Sequence, residues 1–144
     1  AGGGVGPVSG RRALAALARG RRRAESLMVD QCTITRTSGE PGPIDPETGL
    51  REPAPRTTVY EGRCKVQTYE PHEAKPESGQ YVYTVQRYHV HIPVSAPTVQ
   101  VDDRIEVTAS VTAPDLVGRT YRVSGLHHKS LTTAKRLLVD EVSG

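Results

Sequence analysis

Residues 118–142 read GRTYRVSGLHHKSLTTAKRLLVDEV, and this stretch decides the fold class. Apolar and polar side chains alternate on both sides of a polar connector, His127-His128-Lys129. Alternation with a period of two is typical of half-buried antiparallel strands. The stretch therefore predicts a β-hairpin, and three roles fit it: an active-site hairpin, a nucleic-acid reader, or the closing hairpin of a structural barrel. The inward-facing candidates are Tyr121, Val123, Leu137 and Val139.

The same alternation recurs between turn-rich segments and predicts about seven short strands and one helix. We expect a mainly β protein, a small antiparallel β-barrel with long loops and one N-terminal α-helix, with the barrel spanning residues 31–142. TTVYEGRCKVQTY (57–69) predicts two short strands around Glu61-Gly62. YVYTVQRYHVHIP (81–93) predicts the longest strand, with a bulge near residues 85–87. The remaining strand candidates are QCTITRT (31–37) and DDRIEVTA (102–109).

The composition predicts one domain with a lean core. The chain has 144 residues, of which 35% are hydrophobic, and it contains no Phe and no Trp. The core must therefore be built from Val, Ile, Leu and Tyr, and we expect part of the stability to come from partners. No apolar run is long enough for a membrane span, and the first residues lack a secretory h-region, so we expect a soluble protein with no membrane partner. Cys32 and Cys64 are predicted to be buried free thiols.

The first 30 residues carry the basic charge of the chain. They hold six arginines against Glu25 and Asp30, whereas the rest of the chain is slightly acidic. We predict a flexible arm over residues 1–8 and a basic helix over residues 9–30, with Ser9 as the N-cap. Such a helix is marginal alone and needs a surface to lie against. The candidate contacts to DNA or to a protein partner are Arg11, Arg12, Arg19, Arg21, Arg22 and Arg23.

Two connections are long for so small a body. Residues 38–56 are rich in Pro and Gly, which excludes a central strand or a helix, and residues 70–80 are polar and rich in turn residues. Long loops on a small β-body usually make contacts with other molecules. The DPETG segment (45–49) predicts a turn and lacks the pattern of a calcium loop. The candidate contact residues of the two loops are Ile44, Asp45, Glu47, His72, Glu73 and Lys75.

Catalytic and metal-binding patterns are weak in this sequence. His89 and His91 share one face of a strand, which predicts a solvated face, because no third ligand for zinc is evident. Neither cysteine lies in a nucleophile motif, and no phosphate-binding glycine fingerprint occurs. We therefore expect no enzymatic activity, no metal and no cofactor. Nucleic-acid binding through the arginines is the more serious rival to an assembly role.

Taken in order, several segments resemble the head-to-tail connector proteins of long-tailed bacteriophages, of the stopper or head-closure type. The variant that they resemble occurs in phages of actinobacterial hosts, and the resemblance runs from about Arg19 to Val142. Its most specific part is the cadence VDDRIEV (101–107) followed by GRTYRVSGL (118–126). The other matching segments are ARGRRRAESLMVDQCTITR (18–36), DPETG (45–49), YEGRCKVQ (60–67) and YTVQRYHVHIPVSAP (83–97).

This resemblance implies a structural virion protein without catalytic activity. It implies a twelve-fold homo-oligomeric ring at the neck, assembled in the host cytoplasm, with the portal and adaptor on the head side and the tail terminator or tube on the tail side. Such a ring closes the DNA channel and docks the tail. Carried onto this chain, loops 38–56 and 70–80 become candidates for contacts between rings or with the lumen and its genomic DNA, and helix 10–28 becomes a candidate dock for the adaptor or portal. We also expect a neighbouring subunit to cover exposed sheet edges.

Two alternatives remain open at this stage. A tail terminator-type ring protein shares the fold class and differs in position and symmetry. A DNA-binding module would instead use the basic helix.

Overall fold

The structure is a computed structural model that describes residues 5–68, 72–74, 83–85, 88–128 and 130–142. It contains one long helix, eight strands and a short 3-10 helix at Pro114–Leu116. The elements are α1 (Val5–Ser26), β1 (Asp30–Thr37), β2 (Arg56–Thr68), β3 (His72–Ala74), β4 (Tyr83–Val85), β5 (Tyr88–Ile92), β6 (Arg104–Ser110), β7 (Thr120–His127) and β8 (Lys135–Val142).

Six of these strands form a closed antiparallel barrel in the order β1-β2-β5-β8-β7-β6, in which β6 pairs with β1. The predicted fold class is therefore confirmed. Strands β7 and β8 form the predicted hairpin, which lies between β6 and β5. A closed barrel leaves no unpaired strand edge. The expectation that a neighbour covers edges of this sheet is therefore wrong for the barrel, and contacts with other subunits must use side chains or the segments that project from it.

The core lies inside the barrel and follows the alternation of the strands. Along β7 and β8 the inward residues are those predicted from the hairpin stretch, and Tyr121 is the largest fully buried side chain. Its ring lies 5.5 Å from that of Tyr88. Because the chain lacks Phe and Trp, these tyrosines supply the aromatic packing of the core. The buried cluster consists of Cys32, Ile34, Cys64, Val90, Ile92, Ala96, Val99, Ile105, Val107, Tyr121, Val123, Leu137 and Val139.

Two predictions about individual strands are wrong. Residues 57–69 do not form two strands around Glu61-Gly62, because β2 runs without a break from Arg56 to Thr68. A Cβ atom at Gly62 would lie 2.8 Å from the hydroxyl of Tyr60, which donates a hydrogen bond to the carbonyl of Arg63. Gly62 therefore makes room for a side chain within one strand and does not end it.

The segment predicted as the longest strand is divided between two sheets. Strand β4 pairs only with β3 in a separate two-stranded sheet, whereas β5 belongs to the barrel. The predicted polar loop 70–80 accordingly contains a strand, since His72 and Glu73 lie in β3. Lys75 lies outside the described residues, and so do Gln86 and Arg87 of the predicted bulge. Short stretches of alternation specify strand character but not the sheet to which a strand belongs.

The helix differs from its predicted bounds. It begins at Val5, so residues 5–8 belong to it and are not a flexible arm, and Ser9 lies inside the helix and is not its N-cap. It ends at Ser26, and Asp30, which we placed at its end, starts β1. Met28, in the connection between α1 and β1, is buried, so this connection packs against the barrel.

Strand register defines two ends of the barrel. At the end that we call the helix end, α1 leads into β1 at Asp30, which pairs with Ser110, the last residue of β6. At the other end, called the loop end, Thr37 pairs with Arg56, and residues 38–55 connect the two strands. The seven steps from Asp30 to Thr37 place these ends about 23 Å apart along β1. The connection between β7 and β8 lies at the loop end, because β7 runs in the same direction as β1.

The helix approaches the barrel most closely at Gly20. A Cβ atom there would lie 2.8 Å from Cγ2 of Thr133, in the connection between β7 and β8. Gly20 costs the helix about 1 kcal/mol in intrinsic propensity relative to Ala. Its role is to allow this close contact.

Gly20→Ala is therefore expected to loosen the helix from the barrel, although alanine favours helix formation. Overpacking against Thr133 costs about 1 kcal/mol more than alanine gains in helix propensity. The helix should therefore detach from the barrel more often, and trypsin should cleave at the arginines of α1 roughly five times faster. Thr133→Ser removes the clashing methyl group and should restore protection. Gly10→Ala is the matched control, because its Cβ would meet nothing within 4 Å. Equal cleavage of Gly20→Ala and wild type would refute this account of Gly20.

The prediction of two buried free thiols is confirmed. Cys32 and Cys64 are fully buried on neighbouring strands and form no disulfide. A hydrogen bond with Cys32, together with burial, raises the pKa of the Cys64 thiol, so Cys64 stays protonated and unreactive in the folded protein.

Candidate functional site

The first half of α1 projects from the barrel. The six consecutive residues Arg11–Ala16 are all exposed, and Leu14 is 63% exposed. Six residues cover every direction around a helix at 3.6 residues per turn, so this part of α1 packs against nothing within the described chain. The attachment lies further along, where Nε of Arg21 donates a hydrogen bond of 3.2 Å to the carbonyl of Thr132.

The arginines of α1 form one basic face. At 100° per residue, five of the six predicted contact residues fall within an arc of about 120°, and Gly20 and Arg21 lie on the other side of the helix. All five are exposed, whereas Arg21 is partly buried and holds the helix to the barrel. The prediction of a partner-contacting role therefore suits five residues, and Arg21 has a structural role. The basic face consists of Arg11, Arg12, Arg19, Arg22 and Arg23.

Residues 38–55 form a second projection, which we call the loop arm. Its two limbs are tied together by backbone hydrogen bonds, from Ser38 to Pro55 (2.8 Å), from Gly42 to Glu52 (2.9 Å) and from Asp45 to Leu50 (2.8 Å). The tip is the predicted DPETG turn, in which the carboxylate of Asp45 accepts a hydrogen bond from the amide of Glu47 (2.9 Å). A residue with positive φ, Gly49, completes this turn.

The loop arm is both apolar and acidic. Ile44 is 57% exposed and Leu50 is 71% exposed. Both line a groove of about 660 Å³ that is formed by residues of the loop arm itself. The arm carries four exposed carboxylates and one basic side chain, that of Arg51. Of the predicted loop contacts, Ile44, Asp45 and Glu47 therefore come together on one surface. The carboxylates belong to Glu40, Asp45, Glu47 and Glu52.

Leu50 is a member of this surface that sequence reasoning missed. The sequence feature that could have identified it is its position: Leu50 is a large apolar residue directly after the glycine of a turn, and it belongs to no alternating strand pattern. The side chains of His72 and Glu73 fall outside the described part of the structure, and so does the whole of Lys75, so the second predicted loop adds nothing to the site.

The prediction that His89 and His91 form a solvated strand face is wrong. Both lie on the outer face of β5, since the alternating residues Val90 and Ile92 point into the core. His89 is nevertheless only 9% exposed, and its ring lies 5.9 Å from that of His91 and 5.4 Å from that of His127. Burial, with the positive charge of Arg136, lowers the pKa of both His89 and His91 to about 4.

These histidines make the protein sensitive to mild acid. Their folded pKa of about 4 lies below the ordinary 6.5, so the unfolded chain binds protons first as the pH falls between these values. At full strength each histidine would contribute about 3 kcal/mol, and solvent around the partly exposed rings reduces this value, so we expect the free energy of unfolding to fall by at least about 2 kcal/mol across this window. Urea titrations at several pH values measure it, and the double variant His89→Gln/His91→Gln should flatten the dependence. His128→Gln, at an exposed position, is the control and should keep the wild-type slope.

The connector of the hairpin differs slightly from its prediction. His127 is the last residue of β7, so it belongs to the strand and not to the connector. His128 lies outside the strand, and Lys129 is not among the described residues. A small cavity of about 210 Å³ lies beside this turn, lined by Thr98, His127, His128 and Lys135 among others. Nζ of Lys135 is bound by the carbonyl of Ala96, which accepts its hydrogen bond.

Within the described ranges, no three or more His, Cys, Asp or Glu side chains are grouped so that they could hold a metal ion. No helix in that part of the chain is long and apolar enough to cross a membrane. The surfaces that stand out are therefore the basic face of α1 and the acidic loop arm.

Comparison with known proteins adds one finding. Residues 20–140 match the model of a family described as "Family of unknown function (DUF6093)". Neither the curated proteins nor the solved structures include a significant match to this chain.

Proposed function

Because this chain belongs to DUF6093, a family of unknown function, we propose its role from its sequence pattern and its surfaces: it is a structural protein of the phage neck. In this proposal, copies of the chain form a twelve-fold ring between the portal and adaptor on one side and the tail terminator or tube on the other. The ring closes the DNA channel after packaging and docks the tail. The protein is assembled in the host cytoplasm and functions in the virion.

The observation that carries this proposal is the pair of segments, the first half of α1 and the loop arm, that project from a small closed barrel. The first half of α1 is surrounded by solvent, and the loop arm exposes Ile44 and Leu50. An isolated helix is marginal in water, and exposed apolar side chains on ordered segments are typical of protein interfaces. Both features are expected of a subunit that completes its packing in an assembly.

The resemblance to stopper proteins supports the same proposal. Its most specific segment, residues 101–126, forms β6, the short 3-10 helix and most of β7, which lie side by side in the barrel. The residues that carry the resemblance therefore build the scaffold. The contacts with other proteins belong to α1 and the loop arm, as the resemblance implies for terminal helices and long loops.

A second candidate function is DNA binding by the basic face of α1. Five exposed arginines on one side of a projecting helix can neutralise backbone phosphates, with an affinity that falls steeply as salt rises. In a neck ring this face would line the lumen and contact genomic DNA. Fluorescence anisotropy with duplex DNA at two salt concentrations measures this, with Arg11→Gln/Arg12→Gln/Arg19→Gln as the variant and Arg63→Gln/Arg104→Gln on the barrel as the matched control.

The decisive experiment for the neck role is cryo-electron microscopy of tailed-phage particles that contain this chain, focused on the head–tail junction. We expect a twelve-fold ring of this barrel between the adaptor and the tail. Particles made without the chain should have filled heads that lose DNA and carry no tails. A ring at the tail end only would favour the tail terminator alternative, and absence of the chain from the particle would refute a neck role.

A further inference from the structure

The geometry points to a specific contact between copies of this chain: the basic face of α1 from one copy docks on the loop arm of the next. This inference rests on the ring-forming part of the proposed function and names the surfaces that would make the ring. Its occupant is a second copy of the same chain, because the two surfaces complement each other in both charge and apolar character.

The charges of the two surfaces are opposite. The basic face of α1 presents five exposed arginines, and the only acidic residue of the helix is Glu25, near its attached end. The loop arm presents four exposed carboxylates and the single basic residue Arg51. Complementary potentials speed the encounter of two surfaces and set their register, while like charges placed together cost several kcal/mol.

The apolar side chains of the two surfaces also match. Leu14 is 63% exposed and lies about 60° around the helix from Arg11, the nearest residue of the basic face, and Ile44 and Leu50 are exposed next to the carboxylates of the loop arm. The groove of the arm is lined by Pro43, Pro46 and Pro53 as well as by these two residues, so its backbone shape is stiff. A stiff apolar groove loses little conformational entropy when a helix enters it.

The exposure of the two surfaces excludes a contact between them within one chain. Every residue of Arg11–Ala16 is exposed, and so are Ile44 and Leu50 of the loop arm, so the described part of the same chain covers neither surface. A contact between unlike surfaces of identical subunits is heterologous, and such contacts produce rings when the rotation closes.

Exchange of the charges tests this contact directly. One variant carries Arg11→Glu, Arg12→Glu and Arg19→Glu, and a second carries Glu40→Lys, Glu47→Lys and Glu52→Lys. Asp45 is left unchanged because its carboxylate holds the turn. In analytical ultracentrifugation at low salt, each variant alone should associate at least about tenfold more weakly than wild type. The equimolar mixture should recover association, since each altered surface then meets its complement on the other variant.

Matched charge changes on the barrel wall serve as controls. Arg63→Glu/Arg104→Glu and Glu61→Lys/Glu106→Lys alter exposed residues outside both surfaces and should associate as wild type does. Weakened association without recovery in the mixture would overturn the contact. DNA binding by the helix alone predicts a different pattern, in which the helix variant loses DNA and the loop variant has no effect on any measurement.

Cross-linking places the contact between copies and does not depend on tight association. Leu14→Cys and Leu50→Cys in the same chain introduce two exposed thiols, while the native Cys32 and Cys64 are fully buried. A short bismaleimide should then produce a ladder of chain multiples on a denaturing gel, and Leu14→Cys alone should give no product beyond a dimer. A cross-linked monomer, or no product at all, would overturn the inference.

These outcomes separate the contact from the neck role. If the exchange and the cross-links fail while the chain is found as a ring at the head–tail junction, the contact is wrong and the proposed function stands. If they succeed while phage particles lack the chain at the neck, the contact stands and the proposed function is wrong.

Discussion

Tyr121→Ala is expected to lower the free energy of unfolding by about 4 kcal/mol, the largest effect of any single substitution in the barrel. Tyr121 is fully buried, lies opposite Ile105 on β6 and packs 5.5 Å from the ring of Tyr88. With no Phe or Trp in the chain, no larger side chain can move into the space that it leaves. The loss is a large part of the 5–15 kcal/mol that stabilises a typical domain.

Thermal denaturation followed by circular dichroism measures this effect, which should appear as a decrease in Tm of roughly 10–15 °C. Val111→Ala is the control, because Val111 is 88% exposed, and its free energy of unfolding should change by no more than about 0.5 kcal/mol. A loss below about 1 kcal/mol for Tyr121→Ala would mean that the core collapses into the space, contrary to the closed barrel described above.

Asp103→Ala is expected to cost about 3 kcal/mol, because it breaks the best-bonded ion pair of the protein. The carboxylate of Asp103 is 2% exposed and accepts hydrogen bonds from Nε and Nη2 of Arg36, both at 2.9 Å, and from the amide of Gln100 at 2.8 Å. Its removal leaves the amide of Gln100 without its acceptor and leaves the guanidinium with the carbonyl of Thr98, at 3.2 Å, as its remaining acceptor. Arg36 is 35% exposed, so water compensates part of the loss.

A double-mutant cycle with Arg36→Ala separates the pair from its surroundings. Once either partner is absent, removal of the other should cost little, so the double variant should lose far less than the sum of the two single losses. The exposed pair Arg119–Glu141, whose charged atoms lie 3.4 Å apart, is the control and should show a coupling below about 1 kcal/mol. Additive losses for Arg36 and Asp103 would contradict the ion pair.

The same pair predicts a loss of stability in strong acid. Burial raises the pKa of Asp103, but the hydrogen bonds from Arg36 and from the Gln100 amide outweigh it and hold the pKa below the ordinary aspartate value. Its stabilisation is therefore complete above the ordinary pKa and disappears as the pH falls through the lower, folded value. Asp103→Asn should lack this dependence in urea titrations, whereas the dependence due to His89 and His91, at higher pH, should remain.

Local periodicity was sufficient to predict which residues face the core. Tyr121, Val123, Leu137 and Val139 were placed inward by alternation alone, and all are buried. The prediction succeeded because the direction of a side chain in a strand depends only on its position relative to its neighbours in the chain. The turn at residues 45–49 was predicted for the same reason, since Pro, Asp and Gly specify backbone angles locally.

The candidate site was predicted in part. The arginines of α1 and the residues Ile44, Asp45 and Glu47 were selected from charge and loop length, and they lie on two exposed projections. Alternation could not reveal that Arg21 holds the helix to Thr132, or that Gly20 permits this approach. Both contacts join segments more than 100 residues apart, so no local pattern encodes them.

By itself, the sequence determined strand character, the inward residues, the acidic turn and the basic helix, because each depends on neighbouring residues. Only the tertiary structure decided that β5 lies between β2 and β8, that β6 closes the barrel against β1, and that Arg36 meets Asp103. It also decided that His89 is buried on the outside of the barrel. Pairing of distant strands depends on the free energy of the whole sheet, and one local pattern is compatible with several partners.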